Sequence, residues 1–303
     1  MEADQDAMAA VKAALPKLRR ARIVGLMGIA ASLAMVVMLA HDASLQSAVN
    51  PWVLGFGITM CIFPAVFALH WMELLQQRTV LPRLAAMVGL DVPAKITRQI
   101  RNTMRDRVRP GLLPEAHRLK VQEFAVSHFG KQELIYSKIR IPHPNDDDDL
   151  FEGILLTLHH RVPMPEFHLV ARALPDKRWS GLETVNTFYH HQANLQLWPN
   201  HLLYVSHRTD PSHSLLSSIL DRHFRIANQF DPTARLLSSI CDGHQTQLAI
   251  RCNYGFSRVG GLVLASQRLE AQVKSLMHDF SIIYASLGLL LEAESLIASK
   301  TAD

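Results

Sequence analysis

The residues best suited to chemistry lie between positions 145 and 160, where the chain reads NDDDDLFEGILLTLHH. Four consecutive aspartates, Asp146 to Asp149, precede Glu152, and His159 and His160 close the run. Carboxylates bind divalent metals, but calcium loops alternate their acidic residues and place a glycine at the turn. Consecutive aspartates cannot all face one ion, so we interpret this run as a solvated acidic turn that leads into a strand.

The histidines give one alternative metal hypothesis. His159–His160 and His190–His191 are adjacent pairs, and neighbours in a strand point to opposite faces, so neither pair chelates from one side. A site made by His159 and His190 requires their strands to be neighbours. The sequence has none of the common zinc-protease, serine-hydrolase, phosphate-binding or dinucleotide-binding motifs, and its three cysteines lack zinc-site spacing. We therefore predict no catalytic residues, no metal and no cofactor.

Two apolar runs in the first part of the chain have the length of membrane spans. Residues 23–40 and 52–72 contain no Asp, Glu, Lys or Arg, and about 20 apolar residues cross a bilayer. The connection between them has Asp42 but no basic residue, whereas basic residues precede the first run and follow the second. Because such residues stay in the cytoplasm, we predict a transmembrane helical hairpin over 23–72, with residues 1–22 as a basic cytoplasmic N-terminus. A cleaved signal peptide is the alternative for the first run.

Residues 73–111 are predicted to form a juxtamembrane amphipathic helix, restarted at Asp91-Val92-Pro93 by a pattern typical of an N-cap. Apolar residues recur every four positions from Ile96 to Val108, and arginines occupy a second face. These lipid-surface candidates are Arg98, Arg101, Arg105 and Arg109. They either contact anionic headgroups or form the solvated face of a helix that packs on the domain.

From residue 112 the pattern predicts an α+β domain on a mainly antiparallel sheet, cytoplasmic and extending to residue 303. Gly130-Lys131 is expected to join the first two strands as a tight hairpin. Strands are predicted over 119–129, 132–141, 150–160, 166–174, 194–198, 201–208, 245–252 and 259–266. Helices are expected over 210–224 and 231–241, the second with Asp231 as N-cap and Pro232 at its first position.

A C-terminal helix over 267–299 carries the strongest periodic signal. Its apolar residues alternate steps of four and three, as in a heptad seam. These helix-pairing candidates are Leu269, Val273, Leu276, Phe280, Ile283, Leu287 and Leu290. The seam either packs on the chain's own sheet or helices, or joins two copies in a homo-oligomer.

Three stretches carry a family resemblance: FGKQELIYSKIRI, LFEGILLTL and HFRIANQFDPTARLLSS. The matching positions of the last two are Phe151, Glu152, Gly153, Phe224, Asp231, Pro232, Ala234 and Leu237. In these stretches and in its paired apolar runs, the chain resembles a bacterial membrane family known as domain of unknown function 3137, whose members are often encoded beside LemA-type proteins. The resemblance implies a two-span inner-membrane anchor with a cytoplasmic α+β domain, and it implies no catalytic residue or cofactor.

The anchor, the basic helix and the heptad seam are stronger signals than any catalytic pattern. With a net charge of only +4, the chain is not predicted to bind nucleic acid. We predict a multi-pass protein of the bacterial inner membrane, with both termini cytoplasmic, that presents an interaction domain to an unidentified protein partner or to anionic lipid. The alternatives are a membrane-tethered hydrolase, metal-dependent or not, that uses His159, His190 or the acidic turn, and a small channel or transporter subunit.

Overall fold

The computed structural model describes most of the chain in two compact units. Residues 1–88 with 257–278 form the first unit, and residues 89–256 with 279–303 form the second. The described residues are 2–45, 51–114, 119–130, 132–143, 149–172, 189–191, 200–206, 212–257 and 269–300.

The first unit contains the two apolar runs, each within a long helix. Its elements are α1 (Glu2–Leu45), α2 (Pro51–Leu75), a π-helical turn (Gln76–Val80) and α3 (Leu81–Met87). Helices α1 and α2 pack against each other. Gly25 and Ser32 are buried on α1, and small residues one heptad apart let a neighbouring helix backbone come close.

Large apolar side chains on α1 and α2 are exposed. Among the described residues, every exposed large hydrophobic side chain except Phe129 lies between Ile23 and Trp71. By length and hydropathy, the described part of the chain has one helical stretch that could cross a membrane, Ala271–Ile297, and half of its apolar 18-residue window is buried inside the protein. A core helix passes the same test. Ile23–Met38 is apolar but shorter, so within the described residues this criterion does not yield the predicted two-span hairpin over 23–72.

The second unit is built on an antiparallel sheet of nine strands, in agreement with the predicted α+β class. The sheet order is β1-β2-β3-β4-β9-β8-β5-β7-β6. Each pair of neighbours is antiparallel. The strands are β1 (Leu90–Asp91), β2 (Lys120–Phe129), β3 (Gln132–Pro142), β4 (Asp149–His159), β5 (Phe167–Ala171), β6 (Tyr189–His191), β7 (His201–Ser206), β8 (Arg235–Cys241) and β9 (Gln245–Arg251).

Most predicted strands that fall on described residues are present, including the first hairpin. Strands β2 and β3 are joined at Gly130, which has a φ of 61° that glycine adopts without strain. Predicted strands over 194–198 and 259–266 lie outside the described residues. Asp146 to Asp148 of the acidic run lie outside them too, and Asp149 is the first residue of β4.

The predicted helix over 231–241 is wrong, because Arg235–Cys241 is strand β8. Asp231 caps a turn instead, since its Oδ1 accepts hydrogen bonds from the backbone N and the Oγ1 of Thr233, at 2.7 and 2.8 Å. After its first residue, β8 is buried at every position. A strand covered on both faces loses the period-two alternation by which strands are recognised.

Helix α4 (Arg98–Arg107) covers one face of the sheet. Its start was predicted at Asp91, which is wrong because Asp91 pairs with Val126 in the sheet. Thr97 is the N-cap and accepts a hydrogen bond from the Ile100 backbone N at 3.2 Å. Met104 is buried in a core cluster with side chains of β3, β4 and β9, and Ile96, Ile100 and Val108 pack against that cluster.

The opposite face is covered by α5 (His213–Phe230) and by part of α6 (Leu269–Lys300). On α5, the buried side chains include Leu216, Ile219 and Leu220. Tyr136 of β3 stacks on Phe230 and on Phe256, and Phe256 in turn meets Phe280 of α6 edge to face. This aromatic chain ties residues 279–297 of α6 to the sheet of the second unit.

Candidate ligand cleft and buried polar clusters

The structure separates the four lipid-surface candidates. Arg98, Arg101 and Arg105 lie on the exposed side of α4, and none of them has an ion pair within the part of the chain that the structure describes. Arg109 lies beyond the end of the helix. Its guanidinium pairs with Asp242, so this arginine fixes α4 to the β8–β9 turn.

The predicted heptad seam is covered by the chain itself. Val273, Leu276, Phe280, Ile283, Leu287 and Leu290 are all buried. The side chain of Leu269 lies outside the described residues. The seam residues of α6 therefore pack within one chain, and a homo-oligomer formed through them stays a prediction.

The hypothesis of a metal site between His159 and His190 is wrong for this fold. His159 ends β4 and His190 lies in β6, and four strands separate β4 from β6 in the sheet. Among the described residues, no group of three His, Cys, Asp or Glu side chains is arranged to hold a metal ion.

A buried carboxylate holds α6 to the edge of β3 and to the end of β4. Glu294 is 8% exposed. It accepts hydrogen bonds from Gln132 Nε2, from the Arg161 backbone N at 2.9 Å and from the Val162 backbone N at 3.3 Å. His160 Nδ1 lies 3.7 Å from Glu294 Oε2. Burial lowers the pKa of His160, and the Glu294 charge opposes that shift. Hydrogen bonds to a buried carboxylate stabilise its charge. The role of this cluster is therefore structural, because it attaches α6 to β3 and β4.

A second buried acid fixes the segment that follows β9. Glu123 accepts hydrogen bonds from the Phe256 backbone N at 3.0 Å and from Tyr136 Oη at 3.1 Å. Burial raises the pKa of Glu123, against the lowering effect of the Phe256 hydrogen bond and of Lys138. Tyr254 Oη donates to Asp279 Oδ1 at 2.8 Å. Both carboxylates are engaged by groups of the protein's own core.

Two histidines in the core are held neutral by burial. His168 Nε2 is 3.0 Å from Ser238 Oγ, and His223 Nδ1 is 2.9 Å from Ser239 Oγ. Burial lowers the pKa of each histidine to about 3. Ser239 and His223 have the pairing of a nucleophile and its base, but both are fully buried, which leaves no room for a substrate. Burial also raises the pKa of the Cys241 thiol to about 12.

An open cleft of about 1310 Å³ lies at one end of the sheet, where β8 begins and β9 ends. Its charged lining consists of Arg140, Asp149, Glu152, Arg235 and Arg251. The amides of Asn200, Asn228 and Asn253 and the apolar side chains of Phe224, Ala227 and Leu236 complete most of the wall. This mixture of apolar wall and a few convergent polar groups is typical of a ligand site.

Two strand pairs position the arginines of the cleft. In the register of β3 and β4, Arg140 lies opposite Glu152, and its Nε also pairs with Asp149. In the register of β8 and β9, Arg235 lies directly opposite Arg251. Arg251 Nη2 donates to the Leu150 carbonyl at 2.9 Å. For Arg235, the described part of the chain offers neither a side-chain hydrogen bond nor an ion pair.

This cleft was not predicted from the sequence, although a signal for it exists. Asp242-Gly243 is a strong hairpin dipeptide, and Gly243 has a φ of 91°. Arg235 and Arg251 are equally distant from Gly243 along the chain. A hairpin near Gly243, together with the register shift between Leu236 and Ser238, brings the two arginines opposite each other. The interpretation of residues 231–241 as a helix concealed that pairing.

Comparisons with known proteins add little to this description. No family model and no curated protein matches the chain. The crystal structure of the mycobacterial trehalose monomycolate transport factor A, TtfA, is similar over 68% of this chain and 91% of its own, with 10% sequence identity and a TM-score of 0.31. A likeness at that level carries no argument about function.

Proposed function

We propose that this chain is a membrane-anchored binding module, in which α1 and α2 lie in the bilayer and the sheet domain presents a surface to partners. One observation carries the proposal. The exposed large hydrophobic side chains of the described residues are concentrated on α1 and α2 between Ile23 and Trp71. A contiguous apolar surface of this kind needs a cover of lipid or protein, and the inward-facing small residues of α1 suit helix pairing in lipid.

The flanking residues support a bilayer as the cover. Trp52 and Trp71 lie near the two ends of α2 and are 85% and 49% exposed, as expected for indoles at the membrane interface. Arg19 and Arg20 precede the apolar part of α1, and Arg78 follows α2; all three are exposed. Under the positive-inside rule, these positions favour both ends of the hairpin on the cytoplasmic side. A bacterial inner membrane is the setting that the family resemblance implies.

Helix α4 supplies a candidate surface for partners. Arg98, Arg101 and Arg105 form an exposed basic face, while the opposite face of the helix is packed into the core. Anionic headgroups attract such a face with about 1 kcal/mol for each basic residue, and an acidic protein surface offers the same charge complementarity. The module therefore combines an apolar anchor with a basic contact face.

A membrane extraction assay tests the anchor. We expect the wild-type chain to stay with the membrane after an alkaline carbonate wash and to need detergent for release. Leu33 and Phe63 are 62% and 68% exposed on α1 and α2. A charged residue near the bilayer centre costs about 2.5–3.5 kcal/mol, so the double variant Leu33→Asp, Phe63→Asp should be released by carbonate.

Phe129 provides the matched control. It is 57% exposed but lies at the end of β2, so Phe129→Asp should be retained like the wild type. Release of the wild type by carbonate would contradict the proposal that α1 and α2 anchor the chain in the membrane.

The basic face is tested in the double variant Leu33→Asp, Phe63→Asp, which is released from the membrane. Binding of this variant to anionic vesicles should disappear when Arg98→Gln, Arg101→Gln and Arg105→Gln are added.

A further inference from the structure

The cleft at the end of the sheet contains a pair of like charges, and no described carboxylate forms an ion pair with either of them. Arg235 and Arg251 are directly opposite in the antiparallel pair β8–β9, so their Cβ atoms are about 4.5–5.5 Å apart and on one face. Like charges in this position destabilise a sheet. Both residues are exposed and line the cleft.

One carboxylate of the cleft is engaged by a different arginine, since Asp149 pairs with Arg140. Glu152 lies opposite Arg140 in the strand register, and within the described residues it forms no ion pair with Arg235 or Arg251. Arg251 donates to a neutral carbonyl, and among the described carboxylates none forms an ion pair with it. The positive charge of the Arg235–Arg251 pair is therefore available to attract an anionic group that enters the cleft.

We propose that Arg235 and Arg251 bind the phosphate group of a ligand whose uncharged part lies along the apolar wall of the cleft. Guanidinium groups present planar forks of N–H donors that match the oxygens of a phosphate, and two such forks hold one dianion. Asn228 and Asn253 line the same cleft and offer neutral donors for the remaining oxygens. Phe224, which is half-buried, supplies the apolar contact.

The shared chemistry is a phosphate group, and it has two sources, a small phosphate monoester or a phospholipid headgroup. The proposal concerns the sheet domain, goes beyond the membrane-anchored module, and does not depend on how α1 and α2 are covered. Removal of the cleft arginines leaves the anchor unchanged, so failure of one proposal is distinguishable from failure of the other.

The test is a binding titration of the full chain in uncharged detergent micelles. The probes are inorganic phosphate, glycerol phosphate, and nanodiscs of phosphatidylcholine with or without phosphatidic acid. We expect at least one phosphate-bearing probe to bind, with affinity reduced about tenfold or more in Arg235→Gln and in Arg251→Gln, because each variant loses a charge-assisted contact. Saturation by the two soluble probes identifies a small ligand, whereas binding to phosphatidic acid discs alone identifies a headgroup.

Arg225 gives the matched control, since it is exposed on α5 and pairs with Asp221 outside the cleft. Arg225→Gln should bind like the wild type. The thermal midpoint of the unliganded chain should rise in Arg235→Gln, because the like-charge pair is removed, and this readout shows that the variant is folded.

Several results would overturn the proposal. It fails if no phosphate-bearing probe binds to the wild-type chain. It also fails if probe binding is unchanged in both arginine variants. Finally, it fails if Glu152→Gln abolishes probe binding while Arg235→Gln preserves it, since the carboxylate would then be the group that holds the ligand.

Discussion

At the scale of single residues, Gly153 is the position with the least freedom to change. A Cβ added there would lie 2.0 Å from the Ile250 carbonyl oxygen and 3.0 Å from the Arg251 Cα, both backbone atoms of the paired strand β9. Backbone of a central strand cannot give way as a flexible side chain does. Gly153→Ala should therefore destabilise the protein by about 3 kcal/mol through overpacking.

Gly288 on α6 is the matched control for this substitution. No atom lies within 4 Å of a Cβ built there, and alanine is favoured over glycine inside a helix by about 0.5–1 kcal/mol. Thermal unfolding in detergent micelles should show a lower midpoint for Gly153→Ala and an equal or higher midpoint for Gly288→Ala. Equal midpoints for both variants would mean that β4 and β9 are not as close as described.

The pair His159 and His190 was one alternative from the sequence, and the strand order excludes it because four strands separate β4 from β6. The Arg235–Arg251 pair was missed because its chemistry depends on a cross-strand register. The register of two paired strands is set by the turn that joins them and by the burial of their faces. Neither can be read from the residue types at single positions.

At the scale of elements, Glu294 supplies the buried polar attachment of α6 to β3 and to the end of β4, in addition to the apolar contacts of the helix. Glu294→Ala removes the acceptor for Gln132 Nε2 and for the Arg161 backbone N and leaves the buried Gln132 amide unpaired. A buried donor without a partner costs about 1–3 kcal/mol. We expect faster amide hydrogen exchange throughout residues 279–297 together with a lower thermal midpoint.

Glu292, two positions earlier, serves as the control for the attachment of α6. Its side chain is 62% exposed and lies 3.5 Å from the Arg222 Nε, and exposed pairs contribute about 0–1 kcal/mol. Glu292→Ala should leave hydrogen exchange of α6 nearly unchanged. A similar effect of the two substitutions would argue against Glu294 as the specific attachment.

The sequence predicted the long helix α6 and the amphipathic α4 because each has one apolar side at a helical period. It failed for β8, whose two faces are both buried, and for the start of α4, where Asp91 joins the sheet through a pairing distant in sequence. Elements with one solvent-exposed face can be predicted from the spacing of their apolar residues. Elements whose faces are all buried lack this signal, so they can be identified only from the tertiary structure.

At the scale of the whole molecule, the buried histidines make stability depend on pH. The pKa values of His168 and His223 are about 3 in the folded chain, below the usual value of about 6.5 for an unfolded chain. The unfolded chain therefore binds more protons between these values, and stability falls as the pH drops below about 6.5. Between pH 6.5 and pH 5 the loss of stability is about 2 kcal/mol for each histidine, at about 1.4 kcal/mol for each pH unit.

The pH prediction is checked by chemical unfolding of the full chain in micelles at pH 7.5 and at pH 5. We expect the wild type to lose more stability between the two conditions than the double variant His168→Gln, His223→Gln, in which glutamine keeps a polar partner for Ser238 and Ser239. Equal losses in the two proteins would assign the acid sensitivity to other groups, such as His160 or His201, whose pKa values burial also lowers.

The covering of the sheet by α6 also has a consequence for biosynthesis. A ribosome releases the chain from its N-terminus onward, so residues 279–297 emerge after every strand has been made. Until then Phe256 lacks its contact with Phe280, and Gln132 lacks its acceptor on Glu294. Until residues 279–297 have emerged, the nascent protein therefore exposes the part of this face that α6 covers in the folded chain, while α5 has already been made.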